Sequence, residues 1–177
     1  MALYRFEERI PTVASSAYVS DSARVIGDVV IGEECYIGHG AILRGDYGSI
    51  RIGPGTAIEE NAVVHIEPNG LSTIGERVTI GHGAMVHCNV IADYAVIGMG
   101  AVICYDVEIG TWCIIGEGSV VPNGQHIPPG KMVIGVPAKI VGDVQQKHKD
   151  FWIYGKQLYV DLAKKYRREF KRIETKG

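Results

Sequence analysis

Three polar side chains of this sequence, Arg44, His65 and His87, occupy the same local setting. Each directly follows the last of three aliphatic residues that are six positions apart. If such sets stack as neighbouring strands do, the two imidazoles lie about 4.8 Å apart. They can then converge on one Zn²⁺, because each Zn–N bond is about 2.0–2.1 Å long. The pattern therefore suggests metal binding, and the competing interpretation is a stack of exposed polar side chains.

The elements that position these residues form an internal repeat with a period of six. Its aliphatic sets are Ile31/Ile37/Leu43, Ile52/Ile58/Val64, Ile74/Ile80/Val86, Ile91/Ile97/Ile103 and Ile109/Ile115/Val121, preceded by Val19/Val25. A helix cannot have this period, and a flat sheet alternates with a period of two. Three segments per set fit a parallel β-helix, a triangular prism with one short strand on each face. The alternative is a β-sandwich with accidental spacing. The glycine that often follows the aliphatic residue is expected to provide positive φ at the corners.

The repeat is interrupted twice and then replaced by a helical pattern. Ile52 lies nine positions after Leu43 and Ile74 lies ten positions after Val64, where the repeat needs six, so both extensions are predicted to leave the same corner. The period fades after Gly124. We therefore predict a β-helix domain over residues 1–142 and a C-terminal helix that packs on it over residues 143–177.

The predicted helix has one apolar side and one basic side. The apolar stripe comprises His148, Phe151, Trp152, Gly155, Leu158, Tyr159, Leu162 and Tyr166. Its spacing of three and four residues predicts that this stripe packs along the prism. The basic residues are Lys164, Lys165, Arg167, Arg168, Lys171 and Arg172. They are interpreted as a solvated face rather than a nucleic-acid site.

Composition narrows the class of protein. The 177 residues suffice for one compact domain, and a net charge of −2 argues against nucleic acid or an anionic membrane as the main partner. Glycine accounts for 23 residues, well above its usual share of about 7%, so many tight turns are expected. No targeting signal or membrane span is apparent. The four cysteines lack C-x-x-C spacing and are predicted to be reduced, in a cytoplasmic protein.

His82 is predicted to lie on a different face from His87. His82 lies five positions before His87, which allows a separation of up to about 16 Å in extended chain. A neighbouring prism related by a threefold axis can nevertheless bring His82 to the metal. His39 shares the column of His82, with Glu60 between them, and is interpreted either as a polar residue without a role at the metal or as one that supports the metal ligands. His126 and His148 are placed outside the columns as non-ligands.

The chain resembles the γ-class carbonic anhydrases and their close relatives in the hexapeptide-repeat superfamily. The motifs that carry this resemblance are Leu43-Arg44-Gly45-Asp46, His65 and Ile80-Gly81-His82-Gly83-Ala84-Met85-Val86-His87. The chain looks nearest the subgroup associated with carnitine and phenylacetate operons. The resemblance implies a left-handed β-helix and a homotrimer. It also implies a zinc site made by His65, His87 and, from the neighbouring protomer, His82. Fe²⁺ and Co²⁺ suit the same imidazole ligands.

The resemblance also implies roles for four further residues. Arg44 and Asp46 are expected to form an ion pair that supports the subunit interface and the metal site. Glu59 stands where the family commonly has a glutamine that holds the zinc-bound water, six residues before His65. Tyr159 matches a helix tyrosine that approaches the metal pocket, and its alternative is a core residue of the helix stripe. The acidic loop of the archetypal enzyme is shortened here, with Glu67 as its only acid.

The function implied by the resemblance is reversible hydration of CO₂ to bicarbonate by a metal-bound hydroxide at the trimer interface. Two other classes of function stay open. One is an acyl-CoA thioesterase or acyltransferase, because several members of the superfamily handle CoA esters. The other is a metal-stabilised trimer without turnover, which the replacement of glutamine by Glu59 and the short loop make plausible.

Overall fold

A computed structural model describes residues 2–173. Its strands are β1 Ala2–Tyr4, β2 Thr12–Val13, β3 Tyr18–Val19, β4 Arg24–Ile31, β5 Tyr36–Ile37, β6 Ile42–Ile52, β7 Ala57–Ile58, β8 Val63–His65, β9 Leu71–Ile74, β10 Thr79–Ile80, β11 Met85–Val86, β12 Val90–Ile91, β13 Val96–Ile97, β14 Val102–Ile103, β15 Glu108–Ile109, β16 Ile114–Ile115, β17 Val120–Val121, β18 His126–Ile127, β19 Lys131–Gly135 and β20 Ala138–Asp143. A single helix, α1, spans Gln146–Glu169.

The strands form the three faces of a prism. The first face stacks the starts of β4 and β6 with β8, β11, β14 and β17, and the second stacks the ends of β4 and β6 with β9, β12, β15 and β18. The third face stacks β3, β5, β7, β10, β13, β16 and β19 in parallel and closes with the antiparallel β20. The predicted fold class, a left-handed parallel β-helix with a C-terminal helix, is confirmed.

The aliphatic residues of the repeat fill the interior of the prism. Every aliphatic residue of the five full sets is buried, and the sets continue through Ile127 and Val133. The expectation that the pattern fades after Gly124 is therefore wrong. The prolines and glycines of that region interrupt the sequence pattern. Two further strands nevertheless form there, and their inward positions are still aliphatic.

The glycines of the Ile-Gly pairs have a different role from the one predicted. None of the glycines that directly follow an aliphatic residue of the five full sets adopts positive φ. At Gly98 a Cβ would lie 2.5 Å from the backbone N of Glu117, and at Gly53 it would lie 2.6 Å from the carbonyl carbon of Gly75. Glycine is needed there because successive coils approach too closely for any side chain. Several corners instead place non-glycine residues at positive φ, among them Asn61 and Trp112.

Both sequence extensions leave the corner between the first and second faces, as predicted. Gly27 of β4 pairs with Gly45 of β6, whereas Val29 pairs with Ile50, so the intervening segment of β6 projects from the corner. The second extension, between β8 and β9, follows one coil later at the same corner.

Helix α1 packs on the third face through a different arc from the one predicted. Val160, Ala163 and Lys156 are buried, whereas Phe151 is 67% exposed and Leu158 is 49% exposed. Only part of the predicted stripe therefore faces the prism. The helix packs through the side that carries Trp152, Tyr159 and Tyr166, and Phe151 and Leu158 are left exposed. The six residues of the predicted basic side are exposed, namely Lys164, Lys165, Arg167, Arg168, Lys171 and Arg172. In the part of the chain described, no helix is long and apolar enough to cross a membrane.

Candidate metal site and its surroundings

The stacked column predicted from the sequence is present on the first face. Arg44 of β6 pairs in register with His65 of β8, and His87 follows β11 on the next coil. The Nδ1 atom of His65 lies 2.8 Å from Nε2 of His87, and the two ring centroids are 4.5 Å apart. Strand pairing therefore brings the two imidazoles together on one face of the chain.

Arg44 and Asp46 flank this histidine pair. The Nη1 atom of Arg44 donates to Oδ2 of Asp46 at 2.8 Å, and its Nη2 atom lies 3.1 Å from Nδ1 of His65. The other carboxylate oxygen of Asp46 is 3.4 Å from Nε2 of His65. The predicted ion pair therefore exists, and both of its members also contact the edge of the His65 ring.

The electrostatics of the histidine pair suit metal ligation. Burial, helped by the charge of Arg44, lowers the pKa of both His65 and His87. Neutral imidazole, the form that this shift favours, is the form that binds metals. In addition, Nε2 of His65 and Nδ1 of His87 are buried without a hydrogen-bond partner. Such atoms are costly unless a ligand or another partner satisfies them.

His82 lies on the third face, at the end of β10, and is half-exposed. Its ring is held between two carboxylates: Nε2 is 3.1 Å from Oε2 of Glu59, and Nδ1 is 2.8 Å from Oε2 of Glu60. Over residues 2–173, no group of three or more His, Cys, Asp or Glu side chains is close enough to hold a metal ion. One protomer therefore assembles the His65–His87 pair without His82.

Glu59 is buried at the end of β7 and accepts a hydrogen bond from the backbone N–H of His82 at 3.2 Å. Burial raises the pKa of its carboxyl group. Glu59 also borders a cavity of about 240 Å³ between the third face and α1, whose lining is mainly apolar and includes Trp152 and Tyr159. Burial and the adjacent Glu59 raise the pKa of the Tyr159 hydroxyl as well. Glu59, Tyr159 and His82 thus form one group, separate from the histidine pair of the same chain.

The remaining histidines have structural contacts. His39 shares the column of Glu60 and His82, as predicted, and its Nδ1 atom is 2.7 Å from Oγ of Ser20. The placement of His126 outside the columns is wrong: it pairs in register with Glu108 on the second face and lies 2.9 Å from its carboxylate. His148 accepts a hydrogen bond from the backbone N–H of Gln145 at the start of α1.

Three residues near the site were missed or given no role by the sequence reasoning. Cys104 follows Ile103, the partner of Val86, so it extends the column of His65 and His87 by one coil. The rule that singled out the two histidines also selects Cys104. Glu67 has one carboxylate oxygen buried without a partner, and its charge opposes the lowered pKa of His87. Lys156 of α1 is buried against the third face, and the helical pattern gave no signal for it.

Cys88, which directly follows His87, points into the core and is completely buried. We expect Cys88→Ser to keep its full metal content and to lower the free energy of unfolding by roughly 1–3 kcal/mol, because it buries a hydroxyl group among apolar side chains. Metal analysis and thermal unfolding test both parts. Loss of metal from folded Cys88→Ser would show that Cys88 contacts the ion.

Comparison with known proteins identifies relatives of the chain among hexapeptide-repeat proteins. The family model described as bacterial transferase hexapeptide (six repeats) matches residues 90–123. The carnitine operon protein CaiE of Proteus sp. is 36% identical over 92% of this chain and 83% of its own length. The mitochondrial gamma carbonic anhydrase 2 of Arabidopsis thaliana is 33% identical over 95% of this chain, which spans 64% of that relative.

Two solved structures share the whole architecture. A putative acetyltransferase of Bacillus cereus has a TM-score of 0.90 and 31% identity, and the match covers 94% of this chain and 96% of that one. A hexapeptide transferase family protein of Anaplasma phagocytophilum has a TM-score of 0.86 and 32% identity over 93% and 98% of the two chains. The chain belongs to the γ-class carbonic anhydrase-like family of hexapeptide-repeat proteins.

Proposed function

We propose that the protein is a metal-dependent carbonic anhydrase of the γ class, which hydrates CO₂ reversibly to bicarbonate in a homotrimer. The observation that carries this proposal is the His65–His87 pair, with a buried, unpartnered nitrogen on each ring. These residues fit a metal ion because both imidazoles favour the neutral form. In the trimer, His82 of a neighbouring protomer would be the third ligand. The metal would be Zn²⁺, with Fe²⁺ or Co²⁺ as alternatives.

A metal ion bound there supplies a water ligand whose pKa is lowered to about 7, and hence a nucleophile near neutral pH. The side chains of this protein would orient the ligands and carry protons. Arg44 and Asp46 hold the ring of His65 in place through the contacts described above. Because Glu59 and His82 are in contact within one chain, the protomer that contributes His82 to the shared site would also contribute Glu59. The Oε2 atom of Glu59 would accept the proton that hydration releases and pass it to solvent.

Glu59→Ala is expected to lower the rate of CO₂ hydration about tenfold or more while the metal content stays near normal, because it removes the proton acceptor. Glu59→Gln is the matched variant, since it keeps the shape of the side chain and introduces the residue common in the family. Stopped-flow measurement of CO₂ hydration at matched metal occupancy compares the rates of both variants with that of the wild type. Equal rates for wild type and Glu59→Ala would remove Glu59 from the mechanism.

A second candidate function is hydrolysis or transfer of an acyl group from a thioester. The cavity beside Glu59 and His82 supports this candidate. Its volume is about 240 Å³. This is several times the volume of a molecule as small as CO₂, since a water molecule occupies about 30 Å³ in the liquid. An acyl-CoA hydrolysis screen beside the CO₂ assay, on one preparation of verified metal content, distinguishes the candidates. Thioester turnover without CO₂ hydration would replace the first proposal with the second. Metal binding without either activity would favour a structural trimer.

A further inference from the structure

Lys156 is an unusual residue for the centre of a packed helix. Its side chain is 2% exposed and lies between α1 and the third face. The Nζ atom donates to Oγ1 of Thr79 and to the carbonyl oxygen of Ala95, each at 3.1 Å. No carboxylate lies within ion-pair distance of Nζ among residues 2–173. A buried ammonium group without a counter-ion is costly, so the surroundings favour the neutral amine.

The two charged groups near Lys156 act in opposite directions on its preference for the neutral amine. Burial lowers its pKa to about 7; the charge of Glu59, after β7, opposes the shift and that of Arg77, ahead of β10, adds to it. From α1 itself, Trp152 faces the amine, with its ring centroid 5.7 Å from Nζ. A lysine in water has a pKa of about 10.4 and is almost entirely protonated at neutral pH. Burial therefore makes the lone pair of Lys156 available near neutral pH, which a lysine in water does not offer.

We propose that Lys156 is a carbamylation site that takes up CO₂ reversibly, independently of the metal site. The lone pair of Nζ attacks the carbon of CO₂ and forms an N–C bond. One C–O π pair moves onto oxygen, and one proton leaves the nitrogen for solvent. The product is a carbamate with one negative charge. No group is oxidised or reduced in the reaction.

The carbamate can keep the contact of Lys156 with Ala95 and reverse its contact with Thr79. Its nitrogen retains one hydrogen, which can donate to the carbonyl oxygen of Ala95. The hydroxyl of Thr79, which accepts a hydrogen bond from the amine, can turn and donate to a carbamate oxygen, because a hydroxyl group serves in both senses. The carbonyl oxygen of Ala95 and the hydroxyl of Thr79 therefore have a partner before and after the reaction.

Two further features suit the uptake of CO₂. Arg77 places a guanidinium against the same turn of α1, where Nη1 donates to Oε1 of Gln157 at 3.0 Å. A buried anion needs such a cation nearby. The mainly apolar cavity between α1 and the third face is bordered by Thr79 and Gly155, which contact or adjoin Lys156. It gives a small apolar gas a place to collect beside the amine.

Solution NMR with ¹³C-labelled bicarbonate and CO₂ tests the proposal on the intact protein. The wild type should show a carbamate carbonyl resonance that grows with CO₂ concentration, and Lys156→Met should lose it. Lys165→Met, which removes an exposed lysine of the same helix, should keep it. Absence of the resonance from wild type between about pH 6 and 9, or an unchanged resonance in Lys156→Met, would overturn the proposal.

A second measurement needs no variant. Trapping of carbamates with a trialkyloxonium reagent, followed by peptide mass spectrometry, should place the added mass on Lys156 of the wild-type chain. Trapped mass confined to the α-amine or to exposed lysines would contradict the assignment even if Lys156→Met failed to fold. Neither measurement depends on CO₂ hydration, so the outcome is independent of the proposed function.

Discussion

Replacement of both His65 and His87 by alanine is expected to leave a folded protein that binds no metal. The wild type should hold about one ion per chain, because each shared site takes two ligands from one protomer and one from the next. Loss of supporting contacts alone lowers metal affinity by about 10–100-fold, and loss of two ligands should cost more. The fold should persist, because both side chains lie outside the aliphatic core. Elemental analysis of dialysed protein beside circular dichroism measures the two properties.

His126→Ala is the matched control, since it removes an exposed histidine of the second face that pairs with Glu108. It should retain the metal content of the wild type. Full metal occupancy in the folded double variant would mean that the ion is bound elsewhere. The stacked pair would then be a polar column without a ligand.

Gly27→Ala is expected to lower the free energy of unfolding by more than the substitution of any exposed residue. Gly27 has a φ of +75°, and a Cβ there would lie 2.2 Å from the carbonyl oxygen of Gly45. The clash is with the backbone of the next coil, so no side-chain rotation relieves it. We expect the free energy of unfolding to fall by roughly 3–5 kcal/mol, measured by chemical denaturation.

Gly124→Ala separates the clash from the backbone conformation. Gly124 has a φ of +71°, but no atom lies within 4 Å of a Cβ placed on it. It should therefore cost only the penalty for a left-handed residue, about 1–2 kcal/mol. Equal destabilisation by the two substitutions would show that the close approach of the coils at Gly27 is not limiting.

The stacking of Arg44, His65 and His87 could be predicted because a period of six fixes which residues lie above one another. Each inward aliphatic residue sets the position of its neighbour, and strand pairing then brings Arg44 and His65 into register. The same rule selects Cys104, which the search for familiar ligands passed over. A column contains every residue at its repeat position, whatever the chemistry of that residue.

The features of α1 could not be predicted in the same way. A helical stripe gives the spacing of apolar residues but not the arc that the prism covers, so Phe151 and Leu158 were expected to be packed and are exposed. Lys156 is buried because its long side chain reaches acceptors on two coils of the third face. Those acceptors include a backbone carbonyl, and such a partner leaves no pattern in the sequence.

The sharing of the metal site between two protomers is tested most directly by mixing two defective chains. His82→Ala chains lack the third ligand, and His65→Ala/His87→Ala chains lack the pair, so neither homotrimer contains a complete site. Random reassembly from equal amounts should restore complete sites at about a quarter of the interfaces, with that share of the wild-type metal content. Mixed trimers that are verified by native mass spectrometry yet contain no metal would contradict the shared site, as would a monomer that binds one full equivalent.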